Sequence, residues 1–270
     1  MSTIHKSYVV INQAHLYYES QGQGTRLIFL NGGDLDCRMW DDQFSVFSKS
    51  YRVLRYDGRG YGQTTLERDV PFRHIDDLSA LMDSLEIETA ILVGVSLGAG
   101  IALDFTLEYP QRVQKLVLAS PGLGGYEFTS EQFQAYMQAF DAAFEADDID
   151  HAIEVSLRMW VDGWTRPTSE VDPDVRARVK EMTAHAYAMP EPPEPLPLDP
   201  PAIERLAEVQ KRVLIITGEE DIPDSHAIAK ILIKGIAGAT GASIPAAAHY
   251  PNLEQPALFN RAVLDFLQAS

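Results

Sequence analysis

Gly94-Val95-Ser96-Leu97-Gly98 reads G-x-S-x-G. It stands between an apolar, branched run, Ala90-Ile91-Leu92-Val93, and a helix-like run from residue 99 to 105. A strand that turns sharply into a helix holds a serine at its apex with Oγ exposed. The small residues on either side let the two backbones approach closely. The strand before and the helix after give the pattern its weight, since three small residues alone recur by chance.

Working outward, apolar β-rich runs alternate with helical patterns. Residues 9–11 and 16–18 flank Asn12-Gln13 and read as an antiparallel hairpin. Residues 27–30 form a buried-strand run closed by Asn31-Gly32-Gly33, and 51–56 form another, ending at Asp57-Gly58-Arg59-Gly60-Tyr61-Gly62. A short helix fits 40–47. Apolar residues at 75, 78, 81, 82 and 85 predict a helix over 74–85. Strands follow at 113–119 and 212–217, with a weak last strand at 242–245 and a final helix over 254–266. This alternation predicts an α/β fold: a mostly parallel sheet of about eight strands with helices on both faces.

The alternation lapses between 121 and 206. Residues 129–163 and 169–189 read as helices, and the proline-rich stretch 189–201 reads as an extended return. The expected organisation is a core of 1–121 and 207–270 with a helical cap at 122–206.

The composition is ordinary for a globular chain, with 46% hydrophobic and 23% charged residues among 270. A net charge of −17 argues against nucleic-acid or anionic-membrane partners. No apolar run reaches bilayer-spanning length, and residues 1–7 have no signal-peptide pattern. Cys37 is the single cysteine, so no internal disulfide forms, and a cytoplasmic setting is expected. The glycines at 58, 60 and 62 have the wrong spacing for a dinucleotide fingerprint and read as a turn.

A serine hydroxyl needs a base, and the base needs a group that fixes its tautomer. His249 follows the last strand and precedes the last helix, in a loop able to reach a serine on the central strand. Asp221 stands three residues beyond Gly218, which ends the penultimate strand. Glu219, Glu220 and Asp224 compete for the acid role, but the chain order Ser, Asp, His favours Asp221. The position after the strand ending at Ala119 offers Ser120, Pro121 and Gly122, with no carboxylate. Acyl transfer also needs donors for a developing oxyanion. The Leu97 amide at the helix start and the Gly33 amide are the candidates. His74 opens a helix and reads as a surface or capping residue.

These residues resemble the α/β-hydrolase superfamily in its compact form with a helical cap. The resemblance covers nearly all of residues 7–268 outside the cap. It rests on Leu30-Asn31-Gly32-Gly33 with Trp40 and Gln43, on the 56–62 turn, on the elbow, on Gly218-Glu219-Glu220-Asp221 and on the run from His249 to Pro256. It implies a Ser96–Asp221–His249 triad. Its finer form is similar to 3-oxoadipate enol-lactonase-type hydrolases and small carboxylesterases. One departure is Asn31, where the family usually has histidine supporting the oxyanion loop. Asparagine also hydrogen-bonds backbone, so altered loop detail is expected rather than lost function. Asp34 and Asp36 follow at once, and negative side chains there disfavour acidic substrates.

The resulting expectation is a serine hydrolase acting on an ester or lactone of a small, largely apolar molecule, with no cofactor or metal needed. Phe128, Phe133, Phe140, Trp160 and Trp164 are the substrate-pocket candidates. The same triad also supports C–C hydrolysis of β-diketone-like compounds and perhydrolysis. A ligand-sensing receptor that keeps the fold remains a third reading. Dehalogenase and epoxide hydrolase chemistry fit less well, because their nucleophile is a carboxylate.

Overall fold

The computed structural model describes residues 3–66, 70–190 and 192–269. Strands β1 (His5–Ile11) and β2 (Ala14–Gln21) form the expected hairpin. Asn12 and Gln13 both have positive φ, 47° and 62°, the turn whose twist matches the strands it joins. Then come β3 (Arg26–Leu30), β4 (Arg52–Tyr56), β5 (Thr65–Leu66), β6 (Ala90–Val95), β7 (Val113–Ala119), β8 (Arg212–Gly218) and β9 (Thr240–Ile244). Among the described residues these make one sheet in the order β1-β2-β4-β3-β6-β7-β8-β9, with β5 beside β2. The pairings from β4 across to β9 are parallel, and those of β2 are antiparallel. The two-residue β5 is too short to leave a periodic signal.

The helices are α1 (Asp41–Phe47), α2 (His74–Ser84), α3 (Leu97–Glu108), α4 (Glu131–Glu145), α5 (Ile149–Leu157), α6 (Pro173–Ala188), α7 (Ala202–Arg205), α8 (Pro223–Gly235), α9 (Pro251–Glu254) and α10 (Pro256–Gln268). Alternate strand residues feed two cores. Ile28, Leu92, Leu116 and Ile215 pack with α2, α3 and α8 on one face. Their neighbours Phe29, Val93, Val117 and Ile216 pack with α1 and α10 on the other. The period-two side-chain alternation of a strand puts an apolar residue on both faces, as a doubly covered parallel sheet requires.

Two expected helices are broken. Residues 129–163 divide into α4, α5 and a π-helical turn, Arg158–Asp162. Asp147 takes a positive φ of 55°, and the Asp148 carboxylate then accepts the His151 N–H at 3.0 Å, which starts a new helix. The C-terminal helix divides at Gln255, whose φ of −131° and ψ of 59° are not helical. Pro256 disfavours helical geometry in the residue before it. Residues 189–201 cross back without helix or strand among those described, and the Leu196 N–H donates to Phe72 O at 2.8 Å. No helix among the described residues is long and apolar enough to cross a membrane.

Candidate active site

Ser96 sits between β6 and α3 with φ 53° and ψ −117°, a sparsely populated conformation. A Cβ on Gly94 would lie 2.4 Å from the Gly98 carbonyl, and one on Gly98 would lie 2.3 Å from Leu30 O. Glycine is required at both positions because three backbones meet there. The Ser96 N–H donates to Ala119 O at 2.9 Å. Its carbonyl accepts from Ala99, Gly100 and Gly122, each at 3.0 Å. The strained apex is therefore clamped by its own helix, by β7 and by the loop beyond β7. It stands at the carboxyl end of β6, between β3 and β7. Ligands of open α/β sheets bind at such a topological switch point.

The loop after β8 brings Asp221 to His249. Imidazole Nδ1 lies 3.1 and 3.0 Å from the two carboxylate oxygens. His249 is only 6% exposed, and the Asp221 side chain is sealed from solvent. Burial pushes the Asp221 carboxyl up. The charge and hydrogen bond of His249, the Ile222 N–H at 2.8 Å and the Ser120 hydroxyl close by outweigh that, holding it below the usual range. The Ser120 hydroxyl stands near the carboxylate but short of hydrogen-bond geometry. Of the competing acids, Asp224 is engaged elsewhere, accepting from Tyr126 Oη, Thr129 N and Ser130 N at 3.0–3.2 Å. Glu219 is exposed beside Ser243.

The loop after β3 faces this pair. Asn31 Nδ2 donates to Tyr56 O at 2.9 Å, the backbone bond expected of asparagine here, while its Oδ1 is buried without a partner among the described residues. The Gly32 N–H points at Met39 Sδ, 3.2 Å away. A Cβ on Gly32 would meet Tyr250 at 3.4 Å and Ser96 Cβ at 3.8 Å. One on Gly33 would lie 4.0 Å from both Leu97 and the Tyr61 hydroxyl. Gly32 thus lies against both Ser96 and the His249 loop, and Gly33 against Leu97. Leu97 is the first residue of α3, so its amide has no partner within the helix.

Trp160 is the pocket candidate carried to the centre. Its ring centroid lies 4.4 Å from that of His249, and its carbonyl accepts the His249 N–H at 3.1 Å. Phe133 and Phe140 reach this point through Tyr136, which meets the three rings at 5.4–6.0 Å. Phe128 stacks on Phe133 at 4.5 Å, one step further out. Trp164 is not brought in. It is 38% exposed, makes no ring contact among the described residues, and its carbonyl accepts from Arg158. The turn that lays half-buried Trp160 against His249 leaves a residue four positions later outside. His74 opens α2 as expected and is half-buried, edge-on to Phe72 at 5.1 Å, and it lines a small cavity with Asn31, Tyr61 and Leu97.

A residue pair with no sequence signal holds the His249 loop. Buried Arg166 donates to Val161 O and Asp162 O in the π turn, to Ala246 O, and to Glu254 Oε2 at 2.5 Å. Glu254 Oε1 accepts the Ala248 N–H at 2.7 Å. The His249 loop is thereby tied to the helical insertion. Asp36, Cys37 and Asp57 bring ligand-type atoms within 4.8 Å of one another, but those groups are already engaged. Asp57 accepts from Cys37 N and Gln63 N, and Asp36 accepts from Arg38.

Comparison with known proteins agrees with this geometry. The alpha/beta hydrolase family model matches residues 27–262. A 2-hydroxy-6-oxononadienedioate/2-hydroxy-6-oxononatrienedioate hydrolase of Comamonas testosteroni is 28% identical, over 96% of this chain and 95% of that protein. The 3-oxoadipate enol-lactonase 2 of Acinetobacter baylyi is 26% identical, over 96% and 95%. The solved structure of Est816, described as an N-acyl homoserine lactone degrading enzyme, is 25% identical with a TM-score of 0.76, over 96% and 99%. A strained serine elbow, a buried His–Asp pair and a family match running from β3 into α10 lead to one conclusion: the chain belongs to the alpha/beta hydrolase family.

Proposed function

We propose that this protein hydrolyses an ester or lactone of a small, largely apolar molecule through an acyl-enzyme. The observation that carries this is the buried Asp221–His249 hydrogen bond, on the same edge of the sheet as the strained Ser96. With Nδ1–H donated to Asp221, the imidazole presents Nε2 as the base. Ser96 Oγ attacks the carbonyl carbon as His249 takes its proton, and the oxygen becomes an oxyanion held by the Leu97 and Gly33 amides. His249 returns the proton to the departing alkoxide. A water then repeats the sequence, releasing the acid and restoring Ser96. None of these steps calls for a metal or cofactor. The helical segment 122–206 serves as a cap, with Trp160, Phe133, Phe140 and Phe128 forming the apolar side of the pocket. The named activity of the Comamonas relative supports a second reading, C–C hydrolysis with the same triad. The dioates in that name are dianions, and Asp34 beside the oxyanion loop counts against them.

The test is hydrolysis of a panel of p-nitrophenyl esters, lactones and β-diketones by wild type and Ser96→Ala. Turnover of esters or lactones that falls on the order of 10⁶-fold in kcat on substitution, with unfolding temperature kept, is expected. Turnover of diketones alone would favour the second reading, binding without turnover a receptor. Undiminished activity in Ser96→Ala would remove the nucleophile.

A further inference from the structure

Asp34 follows Gly33 and takes a positive φ of 59°. That conformation carries its carboxyl to the cap side of the loop, where the Tyr187 hydroxyl of α6 donates to Oδ2 at 3.3 Å. The same hydroxyl also shares a hydrogen bond with Ser156 Oγ at 2.9 Å. The other titratable groups facing the carboxyl are phenols: Tyr61 from the glycine turn, Tyr136 from α4 and Tyr250 from the His249 loop. Burial raises the pKa of all three, so they are neutral near pH 7.

Burial raises Asp34 too, and the Tyr187 hydrogen bond is the group opposing it. No Arg or Lys charge offsets it among the described residues. Asp36, two residues on, is the contrast, with Arg38 bonded to both of its oxygens at 2.7–3.1 Å. A carboxylate has about four acceptor positions, and among the described residues Asp34 has one long phenol bond. Asp34 is half-buried, one residue from the Gly33 amide, with an oxygen left open to a further donor on the side facing α6.

We propose that Asp34 is a substrate-reading group, accepting a hydrogen bond from a donor nitrogen, an ammonium or an amide N–H, that the ester or lactone carries near its scissile carbonyl. This rests on the hydrolase reading above. A substrate carboxylate would bring a second anion beside the first, whereas a donor nitrogen supplies a further hydrogen bond to the carboxylate.

Two matched pairs test it by kcat/KM. For ammonium, 2-(dimethylamino)ethyl butyrate is set against 3-methylbutyl butyrate. For the amide, α-acetamido-γ-butyrolactone is set against α-acetonyl-γ-butyrolactone, where CH2 replaces N–H. The ester 3-(butanoyloxy)propanoate is the anionic arm. In the wild type, at least one nitrogen member should exceed its carbon partner by about tenfold, with the anion slowest. Glycine accepts a φ of 59° without strain, so Asp34→Gly should bring that ratio close to one. If Asp34→Gly does not fold, Asp34→Asn with the ammonium pair reads the same loss. Ratios near one in wild type, a favoured anion, or a preference that survives the loss of the carboxyl would overturn the proposal. Neutral esters hydrolysed without such discrimination defeat this inference alone. A wild type that turns over no ester or lactone defeats the hydrolase reading and this inference with it.

Discussion

At the scale of single residues, four acids crowd the end of β8, and local geometry divides their tasks. Backbone bonds from Glu219 to Ile244 and from Glu220 to Ala247 continue the sheet's edge, and the chain then turns so that Asp221 faces inward. Asp224, at the start of α8, receives two backbone amides and a phenol from residues 126–130. Asp221→Asn should therefore cost about 10⁴ in kcat, because an amide no longer fixes the productive imidazole tautomer. Asp224→Asn should leave the tautomer alone. A steady-state comparison of the two checks this, and an equal loss in both would contradict the assignment. The candidate serine, histidine and acid were legible because each follows a strand end that its own neighbours announce. The state of Asp34 was legible only in part: its charge beside the site could be read, but not that no Arg or Lys among the described residues offsets it.

At the scale of elements, the elbow is a contract between β6, α3 and β3, with two glycines where the backbones meet. The helical insertion relates to the site differently. Arg166 and Glu254, 88 residues apart, join the π turn to the His249 loop while almost wholly buried. Removing one partner of a buried pair leaves the other uncompensated, at a cost of about 3–5 kcal/mol. Arg166→Met should lower the unfolding temperature by several degrees and, on the proposed function, reduce kcat more than it raises KM, since the His249 loop and the helical insertion lose their common tether. Thermal denaturation with steady-state kinetics reads both, and an unmoved unfolding temperature would count against the tether. The helix breaks at 146–148 and 255 have simpler causes. A capping aspartate and a proline overrode an apolar periodicity that ran through them.

For the whole molecule, buried titratable groups couple the fold to pH. Burial pulls the His74 imidazole down from 6.5 to about 4, so the folded protein keeps it neutral where the unfolded chain protonates it. The unfolded state then binds the extra proton, and stability falls as pH drops from about 6.5 to about 4. Asp57 and Asp104, raised to about 6 by burial, act in the opposite sense. They are common to wild type and His74→Gln and so cancel in the comparison. Wild type should lose unfolding temperature relative to His74→Gln across that window and hold a constant difference below it. A difference independent of pH would mean that His74 protonates freely in the fold.

The sequence by itself determined the strand–helix alternation, the two-faced sheet, the serine turn and the order of the three candidate side chains. Each of these is written in residues that are neighbours along the chain, through side-chain period, glycine at a tight bend and branched apolar runs. Only the tertiary structure decided which acid meets the imidazole, which aromatic ring reaches it, where Arg166 finds Glu254 and that Asp34 bonds the Tyr187 hydroxyl. Those are outcomes of packing between segments tens of residues apart, set by how loops and helices settle over the sheet.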